Sequence, residues 1–411
     1  MMSIKKRERK MYELTCIAPV HIGNGELLKQ FEYIHEKNRN EEKVYFLDQK
    51  KWMSYLMRHQ WIDDYAQEIL RRRCVLGQWL RNKTHTSNLR PVIREICNSS
   101  ADVYTTKDSK KHVNDIVRQV KTIDGVPYIP GSSLKGAVRS AILFHCIRQN
   151  HPAYQPYWQE LKRVMVSVDK RTIGNRSIQR TINRNIQTIV RKMERHTFSK
   201  LNLDLDRPND ALESIMRGIL ISDAMMTEKK RDTIVLEKYD VSKKRGKSID
   251  PHTVALFREC IPVGRRLRFS IIIDTDMTSR IGLTSLDMLW QWMRDYIQFG
   301  LEAQQSVFGR QFRAEFKESQ LADLLIGGGT GFFSKTIYYA LASEREGKEV
   351  LASFFDYVLF SKKNRQTRRL EPAHHHLRDD DVLTPRTLKL AYTGGDRWIL
   401  GLASVKDVTE C

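Results

Sequence analysis

Cysteine is sparse and forms no usable pattern. The six cysteines, Cys16, Cys74, Cys97, Cys146, Cys260 and Cys411, are scattered, with no CxxC pair and no framework spacing. That excludes a disulfide scaffold and a zinc knuckle, and it predicts reduced thiols in a cytoplasmic protein. Long apolar runs are missing as well. No stretch is long enough to span a bilayer, and in "MMSIKKRERKMYELTCIAPV" Glu13, Thr15 and Pro19 break the apolar part below what a signal-peptide core needs. Acid is scarce relative to base: 49 Asp and Glu face 70 Lys and Arg, for a formal charge of +21. Solubility does not require such a surplus, so it points to a polyanionic partner, nucleic acid before an anionic membrane surface.

With 411 residues the chain can bury a substantial core, and the usual length prior gives two domains. "MYELTCIAPV" alternates like a half-buried strand and runs into a tight turn, "HIGNG"; "FEYI" and "KVYFLD" read as strands. A helical pattern with Trp52, Leu56, Trp61, Tyr65, Ile69 and Leu70 follows, its tryptophans placed in a core. From Leu161 to Lys200, apolar Ile178, Ile182, Ile186, Ile189 and Met193 recur among many arginines, as in an amphipathic helix with one packed and one basic face. "GILISDAMM", "TIVLEKYDV", "VALFRECI" and "RLRFSIIIDTD" make the middle of the chain β-rich. A helix with a capping box from Thr284 to Asp287 is expected to end at Gly300, and "RTLKLAY" with "RWILGLASV" around "TGGD" predicts a closing hairpin. These patterns predict two α+β units, residues 1–215 and 216–411, with helical insertions.

The glycine-rich stretch "LLIGGGTGFFSKTIYYAL" invites a nucleotide-binding reading, but the spacing rejects it. A Walker loop needs glycine directly before its lysine, and Ser334 precedes Lys335; the dinucleotide fingerprint needs a third glycine where Phe332 stands. Glycines at the mouth of a helix would still let backbone amides approach a phosphate, although a tight turn needed only for packing is the plainer alternative. "VPYIPGSSLKGAVRSAILFHC" repeats the design, with Gly131 at a turn, Ser132 and Ser133 able to cap a helix, and Lys135 and Arg139 four apart on one helix face.

"IPGSSLKGAVRSAI", together with "PVHIGNG" and "IGGGTGFFSKT", resembles the signatures of the RAMP proteins of CRISPR systems, and their order resembles that of the backbone-capping subunits of type III-A effectors, the Csm complexes. The resemblance implies two ferredoxin-like, RRM-related domains whose glycine-rich loops contact guide RNA. It implies RNA contacts for His21, Gly23, Asn24 and Gly25, for Gly131, Ser132, Ser133, Lys135 and Arg139, and for Gly327, Gly328, Gly329, Thr330, Gly331 and Lys335. Further implications are a seat near the 3′ end of the guide, help in guide maturation, contact with the repeated backbone subunit and the small subunit, recruited nucleases, and only indirect contact with target RNA. No cofactor and no membrane are implied. The aspartate that cuts target RNA in related backbone subunits has no counterpart in "HIGNGELLKQ", which offers Glu26. The chain is therefore expected to bind without catalysing. The competing reading is a metal-dependent ribonuclease built on "HHHLRDDD", with His374, His375, His376, Asp379, Asp380 and Asp381; a solvated loop is the expectation there.

Overall fold

The computed structural model describes residues 7–39, 41–71, 74–105, 113–201, 203, 210–380 and 383–409. The strand Arg7–Cys16 alternates as its sequence predicts, with Tyr12, Leu14 and Cys16 buried. It pairs antiparallel with Arg266–Asp274 on one side and Leu402–Asp407 on the other, and Ile219–Ile221 flanks Arg266–Asp274. Helix Gly131–Gln149 falls between the first and second of these strands in the chain, and helix Leu286–Phe308 between the third and fourth. In chain order the strands lie 4-1-3-2 with every neighbour antiparallel, which is the βαββαβ ferredoxin-like arrangement. Leu324–Leu325 extends the sheet beyond Leu402–Asp407.

The second sheet has nine strands, running from the edge strand Gly23–Leu28 through Ile116–Gln119, Ile249–Cys260, Thr233–Lys243, Cys97–Tyr104 and Glu42–Leu47 to Tyr33–Lys37. Thr387–Thr393 also pairs with Thr233–Lys243 and forms the expected hairpin with Asp396–Ile399. The fold is thus mixed α and β with helical insertions, and the strands expected in the middle of the chain are present. Both sheets draw strands from either side of residue 215. The chain changes sheet at Gly401 (φ 87°), where any Cβ would lie 2.3 Å from the carbonyl oxygen of Ile326. Ile326 donates its amide to Gly401 at 2.9 Å, and Gly401 donates to Pro19 at 3.0 Å. The end of the first strand, the approach to the glycine-rich loop and the last hairpin therefore meet at one point.

Several local expectations are corrected. "HIGNG" does not make a tight turn: after a bridge between Val20 and Ile261, an edge strand begins at Gly23 and shifts register before Leu27, with Gly25 at φ 93°. The Leu161–Lys200 region is not one helix, since one helix closes at Val166 and another opens at Arg176, where the Asn175 side chain accepts the Ile178 amide at 3.1 Å. On that second helix Ile182, Ile189 and Met193 are buried as predicted. Ser285, not Thr284, caps helix Leu286–Phe308, and the helix runs through Gly300 because the absent side chain admits the Phe333 carbonyl, 2.7 Å from where a Cβ would be. Trp52 and Trp79 are core residues, edge to face at 6.2 Å, within the helices inserted after Glu42–Leu47. Among the described residues no helix is long and apolar enough to cross a membrane.

Candidate nucleic-acid interface

The three glycine-bearing motifs, far apart in sequence, line one cleft of about 370 Å³: Gly23 from the first, Ser133 and Gly136 from the second, Gly327, Gly328 and Lys335 from the third. Each motif arrives by a different physical route. Gly131 opens its helix where a Cβ would lie 2.4 Å from the carbonyl oxygen of Ile221, so only glycine lets the helix start against the neighbouring strand. No serine caps that helix: Pro130 is the N-cap, and the Gly131 amide is satisfied from a distance by Asp223 at 2.7 Å. Ser132 and Ser133 fall inside the first turn, Ser132 exposed and Ser133 partly so. The third motif, by contrast, does not sit at a helix mouth. Gly327, Gly329 and Gly331 all take positive φ (101°, 86° and 96°), and the coiled loop runs past Lys335 before a one-turn helix forms at Tyr338–Leu341. The Thr330 hydroxyl bonds the Gly327 carbonyl at 3.2 Å, and Ser334 bonds Thr330 at 2.7 Å, so these side chains fasten the loop internally.

His21 lies beneath the cleft rather than in it. It is only 3% exposed, and its Nδ1, 2.6 Å from the Glu259 carbonyl oxygen, donates to it. Burial, outweighing that hydrogen bond, pushes the imidazole down to about 4, so it is neutral at physiological pH. Its own carbonyl accepts the Gly328 amide at 2.7 Å, which ties the first and third motifs together. Glu259 carries the tie further. Its carboxylate is wholly buried, 2.9 Å from Arg118 and 2.5 Å from Lys121, and it accepts from Thr233 at 2.6 Å and from the Gln119 amide at 3.2 Å. Burial works to raise its pKa, but the charges of Lys121 and Arg118 and the hydrogen bonds from Lys121 and Thr233 hold it below the usual carboxylate range. The Gln119 side chain accepts the Ile22 amide at 2.8 Å and donates to Tyr128 at 3.2 Å, just before the second motif.

The sequence model described as the RAMP superfamily matches residues 13–356. The chain belongs to the RAMP superfamily. It is related to the CRISPR system protein Csm5 of Mycobacterium tuberculosis, at 25% identity over 387 residues covering 87% of this chain and 91% of the relative. Csm5 of Streptococcus thermophilus is 23% identical over 342 residues, 79% of each chain. Among solved structures, a chain of the Csm–crRNA–target RNA ternary complex of a type III-A CRISPR-Cas system, determined by cryo-electron microscopy, shares the fold with TM-score 0.58 at 18% identity, over 97% of this chain and 100% of that one.

Two groups of expected site residues in this RAMP chain lie elsewhere. Lys135 and Arg139 share a helix face, but not the one that carries Ser133, Gly136 and Ser140 to the cleft; they line a second cavity with Arg191, Arg195 and Arg217. Arg139 is held by Glu194 at 3.2 Å and lies 4.4 Å over the Phe198 ring. Asn24 and Gly25 are exposed on the edge strand, while Gly329 and Gly331 pack beside Arg258 and Lys389, which sequence reading did not single out. Gly136 was missed as well, although it closes the quoted "PGSSLKG".

The segment "HHHLRDDD" is not a solvated loop. Asp380 is buried; it bonds His376 Nδ1 at 3.1 Å, accepts from Thr384 at 2.8 Å and pairs with Arg386. Asp356 accepts the amides of His376 and Leu377 at 2.7 and 3.1 Å. Asp379 pairs with Arg378 at 2.6 Å, and His374 packs edge to face on Phe360. Among the described residues no group of three His, Cys, Asp or Glu could hold a metal ion, and Asp381 lies outside them.

Proposed function

We propose that this chain is a non-catalytic RNA-binding subunit of a type III-A CRISPR ribonucleoprotein, holding guide RNA by its phosphates in the three-motif cleft. The observation that carries this reading is the convergence of all three glycine motifs on one cleft, where Gly23, Ser133, Gly136, Gly327, Gly328 and Lys335 stand on a floor of apolar side chains that includes Met293, Tyr296 and Ile297. Where no side chain intervenes, amides and a sugar–phosphate chain can approach closely, and the contact is blind to sequence. The charge of +21 supplies the long-range attraction. The relatives are Csm5 proteins, and the shared fold comes from a complex of Csm subunits with crRNA and target RNA. In keeping with what the order of its motifs implies, we propose that the subunit sits at the end of the backbone near the 3′ region of the guide, beside the repeated backbone subunit and the small subunit. There it supports guide maturation, with trimming left to recruited nucleases and target RNA met only indirectly. The ribonuclease alternative has no observation in its favour, since both oxygens of Asp380 serve internal partners.

The test is equilibrium binding of a guide-length RNA to the purified chain, with and without Mg²⁺, across a salt series, scoring RNA integrity in the same samples. Intact RNA bound in a salt-sensitive manner, and weakened by Lys335→Ala together with Gly136→Val, is the expected result. Salt-insensitive or absent binding would overturn the RNA reading, and cleavage that requires Mg²⁺ would overturn the non-catalytic one.

A further inference from the structure

We infer that the second cavity, formed by Lys135, Arg139, Arg191, Arg195 and Arg217, is a pocket for a single phosphomonoester, the phosphate end of an RNA chain or of a free nucleotide. The inference concerns a different site from the three-motif cleft and rests on the RNA reading only for the polymeric source of that phosphate.

The cavity has a volume of about 370 Å³, at the lower end of the roughly 300–1,000 Å³ of sites that enclose small ligands. Three segments build it: helix Gly131–Gln149 gives Lys135 and Arg139, helix Arg176–Phe198 gives Arg191 and Arg195, and the turn Ile215–Gly218 gives Arg217. Among the described residues, Glu194 is the one carboxylate lining the cavity, and both of its oxygens are engaged by Arg139 at 3.2 Å. Among the described residues no carboxylate pairs with Lys135, Arg191 or Arg217; Arg217 donates instead to the Leu212 carbonyl at 2.9 Å. Lys135 is half-buried beside Arg139, and two cations held together in a recess repel each other until an anion separates them.

The balance of charge selects the ligand. A diester strand carries one negative charge per phosphate and spreads them along a groove, as the three-motif cleft would accept. Here the positive charge converges on one small volume, more than a single diester can neutralise. A terminal phosphate carries up to two charges and three acceptor oxygens, which suits several convergent guanidinium and ammonium donors. The Phe198 ring under Arg139 fixes that guanidinium in place before a ligand arrives.

The experiment uses the full chain and oligoribonucleotides of one sequence ending in either a phosphate or a hydroxyl, prepared separately for the 3′ and the 5′ end, with AMP and inorganic phosphate as competitors. The expected result is that one phosphate-ended RNA binds roughly ten-fold more tightly than its hydroxyl-ended twin. Arg191→Ala combined with Arg217→Ala should abolish that difference while leaving hydroxyl-ended RNA bound as before. Both side chains are exposed, so the melting temperature of the variant should be unchanged. AMP binding that is lost in the same variant, without any end preference on RNA, would assign the pocket to free nucleotides. Equal affinity for both RNA ends with no AMP binding, or a preference that survives the double substitution, would overturn the pocket. RNA binding that persists in the salt series under those outcomes leaves the three-motif cleft standing; loss of all RNA binding to the wild type removes the functional reading instead.

Discussion

An alanine at position 327 would place its Cβ 2.3 Å from the carbonyl oxygen of His21 and would have to hold φ at 101°. Both costs fall on the same residue, so we predict that Gly327→Ala destabilises the chain by about 1–3 kcal/mol, measured by urea unfolding. Its buried neighbour sets a pH dependence. His21 titrates near 6.5 when unfolded and near 4 when folded, so the unfolded chain binds the extra proton between those values. Its contribution is fully present above pH 6.5 and declines as the pH falls toward 4, by about 3 kcal/mol in all. Unfolding of wild type and His21→Gln compared at pH 7 and pH 4.5 checks this: the variant should lose less stability on acidification. An equal loss in both chains would remove His21 from the account.

At the scale of elements, two helical glycines answer differently. In helix Gly131–Gln149 a Cβ on Gly136 meets nothing within 4 Å, whereas in helix Leu286–Phe308 one on Gly300 meets the Phe333 carbonyl at 2.7 Å. Alanine ordinarily stabilises a helix interior by about 1 kcal/mol over glycine. We therefore predict that Gly136→Ala raises the melting temperature and weakens RNA binding, because the added methyl group stands in the cleft. Gly300→Ala should lower the melting temperature. A Gly136→Ala chain that binds RNA as well as wild type would show that the helix face of Ser133 and Ser140 does not meet the RNA. The sequence pattern gave both helices; it missed the close approach that let one of them run past its glycine, because that approach comes from a residue in another segment.

Across the whole molecule, Glu259 joins the motifs. It compensates Arg118 and Lys121, and through Gln119 and the backbone of His21 its neighbourhood touches all three glycine segments. Glu259→Ala should cost about 3–5 kcal/mol by stranding those cations and should weaken RNA binding at temperatures where the chain is still folded; denaturant unfolding and binding on one preparation would read both. Unchanged stability would mean that the cations find other partners. Strong salt dependence belongs to this scale too. For single-stranded RNA the slope of log K against log salt is about −0.7 per neutralised phosphate, so Lys335→Ala should flatten it by roughly one phosphate's worth.

From the sequence by itself came the charge, the alternating strands, the amphipathic helices and the three glycine motifs, because each depends on short-range pattern or on composition. Gly23, Ser133, Gly327, Gly328 and Lys335 were legible as site candidates and do share a cleft. What the sequence could not decide was direction and company. Lys135 and Ser133 are neighbours in the chain but face different cavities, since helical pitch turns adjacent side chains apart. His21 looked like a surface ligand until Glu259 and Gly328 enclosed it. Arg191 stood only on a basic helix face and Arg217 in no motif until packing brought their helix and turn beside Lys135. Such convergence arises from contacts between segments distant in the chain, and only the tertiary structure specifies them.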